Sequence, residues 1–319
     1  MEKIWRIGTR DSQLAIWQAN HTKILLEEKG IQTKLYPVKS EGDINLTTPL
    51  YEMGVQGIFT KTLDTALLNN EIDIAVHSYK DVPTELPKGL VKAAVLERAN
   101  HRDLLVFNEN LPFDVLHELC LKGKDLTNGS HFTIATSSTR RKSQWLNRFP
   151  EHQINSIRGN VNSRLKKLTE SNWHAAIFAK AGLERINLVP SNAIEIDWML
   201  PAPAQGAIVV VAREDDEILL AELGKINHAP TDLCTYIERS FLRILMGGCT
   251  TPISAHAYIK EELLYFSGQL LSLDGKQEIS VQKVVKAKGA SEIGKLAGID
   301  ILEKGGKELI HQIKASEKN

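Results

Sequence analysis

The feature that most constrains the fold is a regular alternation of short apolar runs with amphipathic segments, which continues to about residue 225. The first run, KIWRIGT, predicts a strand, and the next segment, SQLAIWQANHTKILLEEKG, predicts a helix that ends at Gly30. Two parallel strands of one sheet need a long crossover connection, which is usually a helix. The alternation therefore predicts doubly wound α/β domains.

The same alternation defines the remaining elements of this region. Further strands are predicted at QTKLYPVKS, IDIAVHS, LLVF, HFTIATS, INSIRG and HAAIFA, and further helices at FTKTLDTALLNNE, RKSQWLNRF and VNSRLKKLTES. The alternation is interrupted near residues 97–102, where we expect the chain to cross between domains.

The C-terminal part has a different pattern. DLCTYIERSFLRILM predicts a helix with Thr231 or Asp232 as its N-cap. Three strand-like runs follow, with Asp274-Gly275 predicted at a tight hairpin turn between the last two. Helical patterns close the chain, so we expect a smaller α+β domain with an antiparallel sheet.

Composition excludes several classes of protein. The 39 basic and 39 acidic residues give a formal net charge of zero, which argues against a strongly basic nucleic-acid-binding protein. The 3 cysteines are scattered and form no disulfide framework, which fits a reducing cytoplasm. The longest apolar runs are too short to span a bilayer, and the first residues do not resemble a secretory signal.

Two adjacent arginines occupy a position that a helix does not favour. In TIATSSTRRKSQWL, a strand ends, Ser137 or Ser138 can cap a helix, and Arg140 and Arg141 fall in its first turn. Cations at that end oppose the helix dipole, by about 0.3–1 kcal/mol each. A bound anion would reverse the sign, because free backbone N–H groups and arginine forks would then act together.

Similar arrangements recur elsewhere. Arg10 follows the first strand, with Asp11 or Ser12 as the predicted cap of the next helix. Other arginines near such turns are Arg158, Arg164 and Arg185. For any one of these arginines, a solvated side chain or a pair with an acid is as good an explanation as a role in ligand binding. The set favours a polyanionic ligand, without distinguishing phosphate from carboxylate.

A carboxylate lies among these cations. In IDIAVHSYKDVPTELP, a buried strand ends near Ser78 and is followed by Lys80 and Asp81. Ligands bind at the carboxyl ends of strands in open α/β sheets. Asp81 could stabilise a positive centre or give a proton to a leaving amine. A turn-capping aspartate paired with Lys80 explains the pattern equally well.

One cysteine, Cys249, lies in a glycine-rich loop, LMGGCTTPIS. Cys120 and Cys234 stand at no regular spacing from it, so neither a disulfide nor a zinc site is visible. Taken alone, Cys249 fits an inert free thiol better than a functional one.

Together these motifs resemble the porphobilinogen deaminase family, whose members are also called hydroxymethylbilane synthases. The motifs occur in the family's order over nearly the whole chain: IGTRDSQLAIWQA, SEGD, GIFTKTLDTALL, IDIAVHSYKDVP, ATSSTRRKSQWL, IRGNVNSRLKKL, AGLERI, PAPAQGA and ERSFLRILMGGCTTPISAHA. The blocks HSxKDVP and GGCxxP are highly specific in combination.

The resemblance implies a fold and its domain boundaries. It implies two type II periplasmic-binding-protein-like α/β domains with mixed sheets and the active cleft between them, plus a smaller α+β C-terminal domain with an antiparallel sheet. The implied boundaries are 1–98 with 207–224 for the first domain, 102–200 for the second and 228–319 for the third. A cytoplasmic monomer, without a nucleic-acid, membrane or metal partner, is also expected.

The resemblance also implies a reaction. Four porphobilinogen molecules are joined head to tail, with loss of ammonia each time, onto a dipyrromethane cofactor that a thioether attaches to Cys249. Water then releases the linear tetrapyrrole hydroxymethylbilane. By the resemblance Asp81 is the catalytic residue. The implied cofactor-binding residues are Cys249, Lys80, Asp81, Ser138, Arg140, Arg141 and Arg158, and the implied substrate-binding residues are Arg10, Ser12, Phe59, Arg158, Arg164, Arg185 and Gln205.

The chain departs from the family's pattern in two places. Gln56 stands in GVQGIF where the family commonly has a lysine that helps to hold a substrate carboxylate. A longer segment near residues 108–130 looks like an insertion and is given no role.

Three other functions were weighed against the sequence. A non-catalytic solute-binding protein for a polycarboxylate ligand would share the first two domains, but it would not need Cys249 together with Asp81. A thiol hydrolase would need a recognisable histidine partner for Cys249. A transferase for phosphate ligands would need a phosphate-loop or magnesium signature, which this sequence lacks.

Overall fold

The structure is a computed structural model, and it describes residues 3–38, 60–110, 132–246 and 251–316. The chain divides into two compact units, each built from two stretches of sequence. Unit 1 comprises Met1–Asn100 and Ala204–Thr235, and unit 2 comprises His101–Pro203 and Tyr236–Asn319. The three-domain boundaries expected from the sequence stay a prediction. The segment 111–131, most of the suspected insertion, lies outside the described residues.

The described residues form strands and helices largely where the sequence predicts them. The strands are β1 (Trp5–Thr9), β2 (Thr33–Pro37), β3 (Ile74–Ser78), β4 (Leu90–Val95), β5 (Asp103–Phe107), β6 (Thr133–Ala135), β7 (Gln153–Asn155), β8 (Ala175–Ala179), β9 (Ala193–Ile196), β10 (Ile208–Arg213), β11 (Ile253–Lys260), β12 (Leu263–Leu271) and β13 (Glu278–Lys286). The helices are α1 (Gln13–Glu27), α2 (Lys61–Leu68), α3 (Thr139–Arg148), α4 (Val161–Thr169), α5 (Lys180–Glu184), α6 (Glu217–Gly224), α7 (Ala229–Ile244), α8 (Ile293–Ile301) and α9 (Lys307–Ser316). Among these residues, no helix combines the length and apolar character needed to cross a membrane.

Two five-stranded sheets share one topology. The sheet of unit 1 has the order β2-β1-β3-β10-β4, and the first sheet of unit 2 has the order β7-β6-β8-β5-β9. In each sheet the first three strands are parallel, and the fourth runs antiparallel to both of its neighbours. The mixed α/β sheets of the predicted fold class are therefore confirmed.

The third sheet is antiparallel, with the order β11-β12-β13, as the sequence predicts. Its second hairpin is closed by Ser272, whose N–H donates to the Gln277 carbonyl, and Gly275 has a φ of +74° within that loop. Asp274 stabilises the loop by accepting the Lys276 N–H at 3.1 Å. The turn predicted at Asp274-Gly275 is thus confirmed, within a loop longer than two residues.

The predicted N-cap of α7 is wrong. The helix begins at Ala229, so Thr231 and Asp232 lie inside its first turn. Both polar side chains have tertiary partners instead. The Thr231 hydroxyl accepts the Arg98 N–H at 3.1 Å, and Asp232 forms an ion pair with Lys92 of β4.

A tight turn precedes β10 and fixes its start. Ala204 and Gly206 have φ angles of +62° and +86°. A Cβ on Gly206 would lie 2.7 Å from the Ala99 carbonyl oxygen and 3.0 Å from that of Asn100. The Ala99 N–H in turn donates to the Gly206 carbonyl at 3.2 Å. Only glycine allows this approach of two backbone segments.

A buried carboxylate connects three parts of unit 1. Asp73, just before β3, accepts hydrogen bonds from Nε and Nη2 of Arg6 at 2.9 and 3.0 Å and from Nη2 of Arg213 at 3.2 Å. Burial alone would raise the pKa of Asp73, but the hydrogen bonds from Arg6 and Arg213 outweigh it and hold that pKa below its ordinary value. The ion pairs therefore favour the folded state at neutral pH.

We predict that Asp73→Asn lowers the free energy of unfolding by about 2–3 kcal/mol at neutral pH, because it breaks a buried pair whose Arg6 side chain is partly solvated. The lowered pKa gives the pH dependence. The loss should be constant above about pH 5 and should shrink as the pH falls below the ordinary aspartate pKa of about 3.9. Urea unfolding of the wild type and of Asp73→Asn at a series of pH values measures the difference in their free energies of unfolding. A difference that grew as the pH fell would contradict the stabilising role of ionised Asp73.

We predict that Gly206→Ala lowers the free energy of unfolding by at least about 2 kcal/mol, because alanine disfavours the positive φ and its Cβ meets two carbonyl oxygens. Gly224→Ala is the matched control, because its Cβ would meet nothing within 4 Å. That variant should change the free energy of unfolding by less than about 1 kcal/mol. Equal effects of the two substitutions would show that the turn does not need glycine.

Candidate functional site

The end of β3 in unit 1 presents the carboxylate that the sequence analysis singled out. A short 3₁₀ turn, Tyr79–Asp81, follows the strand, and the Tyr79 N–H donates to the Ala207 carbonyl at 3.0 Å. Gln18 of α1 donates to the Ser78 hydroxyl at 2.8 Å. Asp81 is exposed and has no hydrogen bond or ion pair to any described residue. The backbone around it is therefore fixed, while its carboxylate oxygens are available to a ligand.

The Lys80 side chain contacts Gln205. Its Nζ lies 3.4 Å from Oε1 of Gln205, a side chain that is only 1% exposed. The Gln205 carbonyl accepts Nε of Arg98 at 2.8 Å, which fixes the position of the glutamine. The alternative in which Asp81 pairs with Lys80 is therefore not observed. The structure instead brings together two of the predicted residues, Lys80 and Gln205.

Arg10 and Ser12 lie at the end of β1 in the same unit. The Ser12 hydroxyl accepts the Ala15 N–H at 3.3 Å, so Ser12 is the N-cap of α1, as one of the two predicted alternatives has it. His77, on β3, is buried. Its burial and the nearby charge of Arg10 together lower the His77 pKa to about 4. This histidine is therefore neutral at physiological pH.

Unit 2 holds the adjacent arginine pair. Ser138 caps α3 by accepting the Arg141 N–H at 3.4 Å, which resolves the choice between Ser137 and Ser138. Both guanidinium groups converge on Asp103, the first residue of β5. The pairing with an acid, left open by the sequence, is thus observed for Arg140 and Arg141.

The hydrogen bonds of this cluster are short and almost completely enclosed. Nη2 of Arg140 donates to Asp103 at 2.8 Å, and Nη2 and Nε of Arg141 donate to it at 2.7 and 3.2 Å. The remaining Nη1 groups donate to backbone carbonyls, that of Leu200 for Arg140 and that of Ile177 for Arg141. Each arginine is 5% exposed and Asp103 is fully buried.

Helix α3 is also held by Gln144, one turn after Arg140. Its side chain accepts the Leu200 N–H at 2.8 Å and donates to the Leu200 carbonyl at 2.9 Å. It donates as well to the Ser254 hydroxyl of β11 at 2.9 Å. The arginine-bearing turn is therefore fixed against Ser254 of β11, which follows Cys249 by five positions in the sequence.

The other predicted arginines of unit 2 lie near α4 and α5. Nη1 of Arg158 is buried, and no described residue accepts a hydrogen bond from it. The guanidinium of Arg164 lies 5.3 Å from the ring centre of Phe178. Arg185 is 9% exposed, and burial lowers its pKa to about 10.

The sequence analysis and the structure do not cover the same set of site residues. Cys249, Phe59 and Gln56 lie outside the described residues. Sequence reasoning missed Asp103, Gln18, Arg98 and Gln144. The presence of two arginines in one first turn could have prompted a search for a buried acid, but nothing local identifies Asp103 as that acid.

Two family models match the chain. One, described as porphobilinogen deaminase, dipyromethane cofactor binding domain, matches residues 5–221, and the other, described as porphobilinogen deaminase, C-terminal domain, matches residues 232–303. The solved structure of the methionine binding protein MetQ covers 70% of this chain and 89% of its own, with 11% identity and a TM-score of 0.43.

Curated relatives match over nearly the full length. Porphobilinogen deaminase of Desulforamulus reducens is 38% identical over 321 residues, covering 98% of each chain. The protein of the same name from Chloroherpeton thalassium is 39% identical over 302 residues, covering 92% of each. A probable porphobilinogen deaminase of Methanosarcina acetivorans is 37% identical over 311 residues, covering 96% of this chain and 94% of its own. On this evidence the chain belongs to the porphobilinogen deaminase family.

Proposed function

We propose that the protein is a hydroxymethylbilane synthase that joins four porphobilinogen molecules, releases ammonia at each step and hydrolyses off the linear tetrapyrrole, with Asp81 as its catalytic residue. The observation that carries the assignment of Asp81 is its exposed carboxylate, which has no partner among the described residues and lies on a fixed turn after β3, within the motif HSYKDVP. Family membership supports the reaction.

The chemistry of porphobilinogen explains why a site rich in cationic residues would also contain one carboxylate, that of Asp81. Loss of ammonia from the aminomethyl arm leaves a positively charged pyrrole, which an adjacent negative charge stabilises. Asp81 can also accept a hydrogen bond from a pyrrole N–H. Because no described residue forms a hydrogen bond or ion pair with Asp81, both of its carboxylate oxygens can interact with the reacting group.

Dipyrromethane is the cofactor, and the described residues fit it. When bound, it supplies the pyrrole carbon to which the first substrate is joined. Each of its rings carries two carboxylates, and buried guanidinium groups need such partners. Nη1 of Arg158 is buried without a described acceptor, so it is suited to bind one of these carboxylates. Cys249 is the proposed attachment point, through a thioether formed by its sulfur.

The remaining residues hold carboxylates and rings. We assign carboxylate binding to cations and hydroxyl groups, and ring packing to one aromatic residue. The assigned residues are Arg10, Ser12, Lys80, Ser138, Arg140, Arg141, Arg158, Arg164 and Arg185 for carboxylates, Gln205 for holding Lys80, and Phe59 for a ring. Ser12 and Ser138 accept backbone N–H groups as N-caps, which leaves each hydroxyl proton free to be donated to a carboxylate.

The cellular setting and domain organisation belong to the same proposal. The proposal includes a cytoplasmic monomer with no nucleic-acid or membrane partner, and the formal net charge of zero supports the absence of a nucleic-acid partner. The third domain, 228–319, would present Cys249. A non-catalytic solute-binding protein is disfavoured by membership of an enzyme family.

We predict that Asp81→Asn lowers kcat by at least about 100-fold, because the amide keeps the shape but loses the charge that stabilises the cation. Its free energy of unfolding should change by less than about 0.5 kcal/mol, because the carboxylate has no described partner. Initial rates of porphobilinogen consumption measure kcat, and urea denaturation measures the free energy of unfolding. Asp215→Asn, a control at another exposed aspartate of unit 1, should keep the full rate. Near-normal turnover by Asp81→Asn would exclude the assigned role.

We predict that the purified protein is heavier than its polypeptide by two porphobilinogen units less the lost ammonia, and that Cys249→Ala abolishes this increment. Intact-mass spectrometry measures both. Cys234→Ala removes the buried cysteine of α7 and should keep the increment. An increment that survived in Cys249→Ala would exclude this cysteine as the anchor. A wild-type protein that stayed at the polypeptide mass after incubation with porphobilinogen would overturn the proposed function.

A further inference from the structure

A buried hydrogen bond joins helix α3 to the strand that follows Cys249 in the sequence. Nε2 of Gln144 donates to the Ser254 hydroxyl at 2.9 Å, and these two residues are 4% and 0% exposed. The amide also donates to the Leu200 carbonyl at 2.9 Å and accepts the Leu200 N–H at 2.8 Å. Both amide protons of Gln144 are therefore used. Loss of the Ser254 hydroxyl would deprive one of them of its acceptor inside the protein, which is unfavourable.

The same junction includes an arginine of the first turn of α3. The Leu200 carbonyl accepts Nη1 of Arg140 at 2.9 Å, in addition to Nε2 of Gln144. The next residue, Pro201, accepts the Ala255 N–H at 3.1 Å through its carbonyl. These two consecutive residues therefore contact both the arginine-bearing turn and the start of β11. A displacement of β11 relative to α3 would break several of these hydrogen bonds together.

The chain is also fixed between Ser254 and the segment that contains Cys249. Thr251 and Ile253 are buried, and the Ile253 N–H donates to the Thr251 carbonyl at 2.8 Å. The Pro252 carbonyl accepts the N–H of the last residue of β12 at 3.2 Å. The described chain is thus held in place to within two positions of Cys249. The position of Ser254 relative to α3 therefore determines where the segment that carries Cys249 ends.

We infer that Gln144 and Ser254 are positioning residues, whose hydrogen bond fixes the arginines of α3 relative to the attachment point of the dipyrromethane cofactor. The inference rests on the proposed function, in which the cofactor is attached to Cys249 and its carboxylates bind Arg140 and Arg141. A group that is tethered at one end and bound through its carboxylates at the other binds best when the protein fixes both ends in advance.

Asn147 provides a matched control on the same helix. One turn after Gln144, its Nδ2 donates to the Gly275 carbonyl at 2.8 Å, in the loop between β12 and β13. Asn147→Ala therefore also removes one hydrogen bond between α3 and the three-stranded sheet, but at a loop that is distant from Cys249 in the sequence. Ser254→Ala removes its bond at the start of β11. If both bonds only stabilise the fold, the two substitutions should act alike.

The test measures how much the cofactor raises the midpoint of thermal unfolding. The wild type, Ser254→Ala, Gln144→Met and Asn147→Ala are each compared with the same protein carrying Cys249→Ala, which lacks the attachment point. Intact mass establishes which proteins carry the cofactor. A group that binds the folded state and not the unfolded state raises the midpoint. The difference between the two members of each pair therefore reports how well the folded protein binds its cofactor.

We expect Ser254→Ala and Gln144→Met each to reduce this difference by about 2 °C or more, because the cofactor meets a less well fixed arginine turn. The double variant should reduce it no further than Gln144→Met does, because the bond is already broken. A folded Ser254→Ala protein that failed to gain the cofactor mass would be the extreme form of the same result. Asn147→Ala should lower both midpoints of its pair equally and leave the difference unchanged.

Equal lowering of both midpoints by Ser254→Ala would overturn the inference, because the bond would then only stabilise the fold. A reduced difference of the same size in Asn147→Ala would also overturn it, because any loosening of α3 would be sufficient. Ser254→Ala decides the matter if Gln144→Met does not fold. A wild type that gains no mass with porphobilinogen would instead overturn the proposed function, and this inference with it. The failures are distinguishable, because the first two occur in a wild type that carries the cofactor.

Discussion

The return of the chain to unit 1 is the constraint on which the rest of that unit depends. Strand β10 lies between β3 and β4, antiparallel to both, and its residues Ile208–Ala212 are buried. Its pairing with β3 places the Ala207 carbonyl to accept the Tyr79 N–H and places Gln205 beside Lys80. Lys80 and Gln205 are 125 residues apart in sequence. The turn that presents Asp81 is therefore positioned by a segment that enters the sheet last.

Features with local causes could be predicted from the sequence, and features with distant partners could not. Ser12 and Ser138 cap helices through residues three positions away, so the local pattern was sufficient. The start of α7 was misplaced because Thr231 and Asp232 contact β4 and its exit, more than 130 residues earlier in the chain. Asp103 was missed for the same reason, because only the fold brings it to α3.

Two buried carboxylates, Asp73 and Asp103, bind arginines that differ in their exposure to solvent. Asp73 and Asp103 each bind two arginines. In the first cluster the Arg6 side chain is 40% exposed to water, and Arg213 also forms an ion pair with Asp216 at 3.8 Å. In the second cluster each arginine side chain is only 6% exposed, so water does not solvate these charges to the same extent. Solvent therefore reaches the first cluster, whereas the second is enclosed by the protein.

The geometry of the turn after β3 explains how a cation and a carboxylate can be neighbours without neutralising each other. Consecutive residues of a helical turn do not face each other, so Lys80 and Asp81 present their charges in different directions. The hydrogen bond to Gln205 reinforces the separation by giving Lys80 a neutral partner. A ligand with an anionic arm and a developing positive centre could therefore contact Lys80 and Asp81 at the same time. Porphobilinogen, with carboxylate arms and an aminomethyl group that leaves as ammonia, is a ligand of this kind.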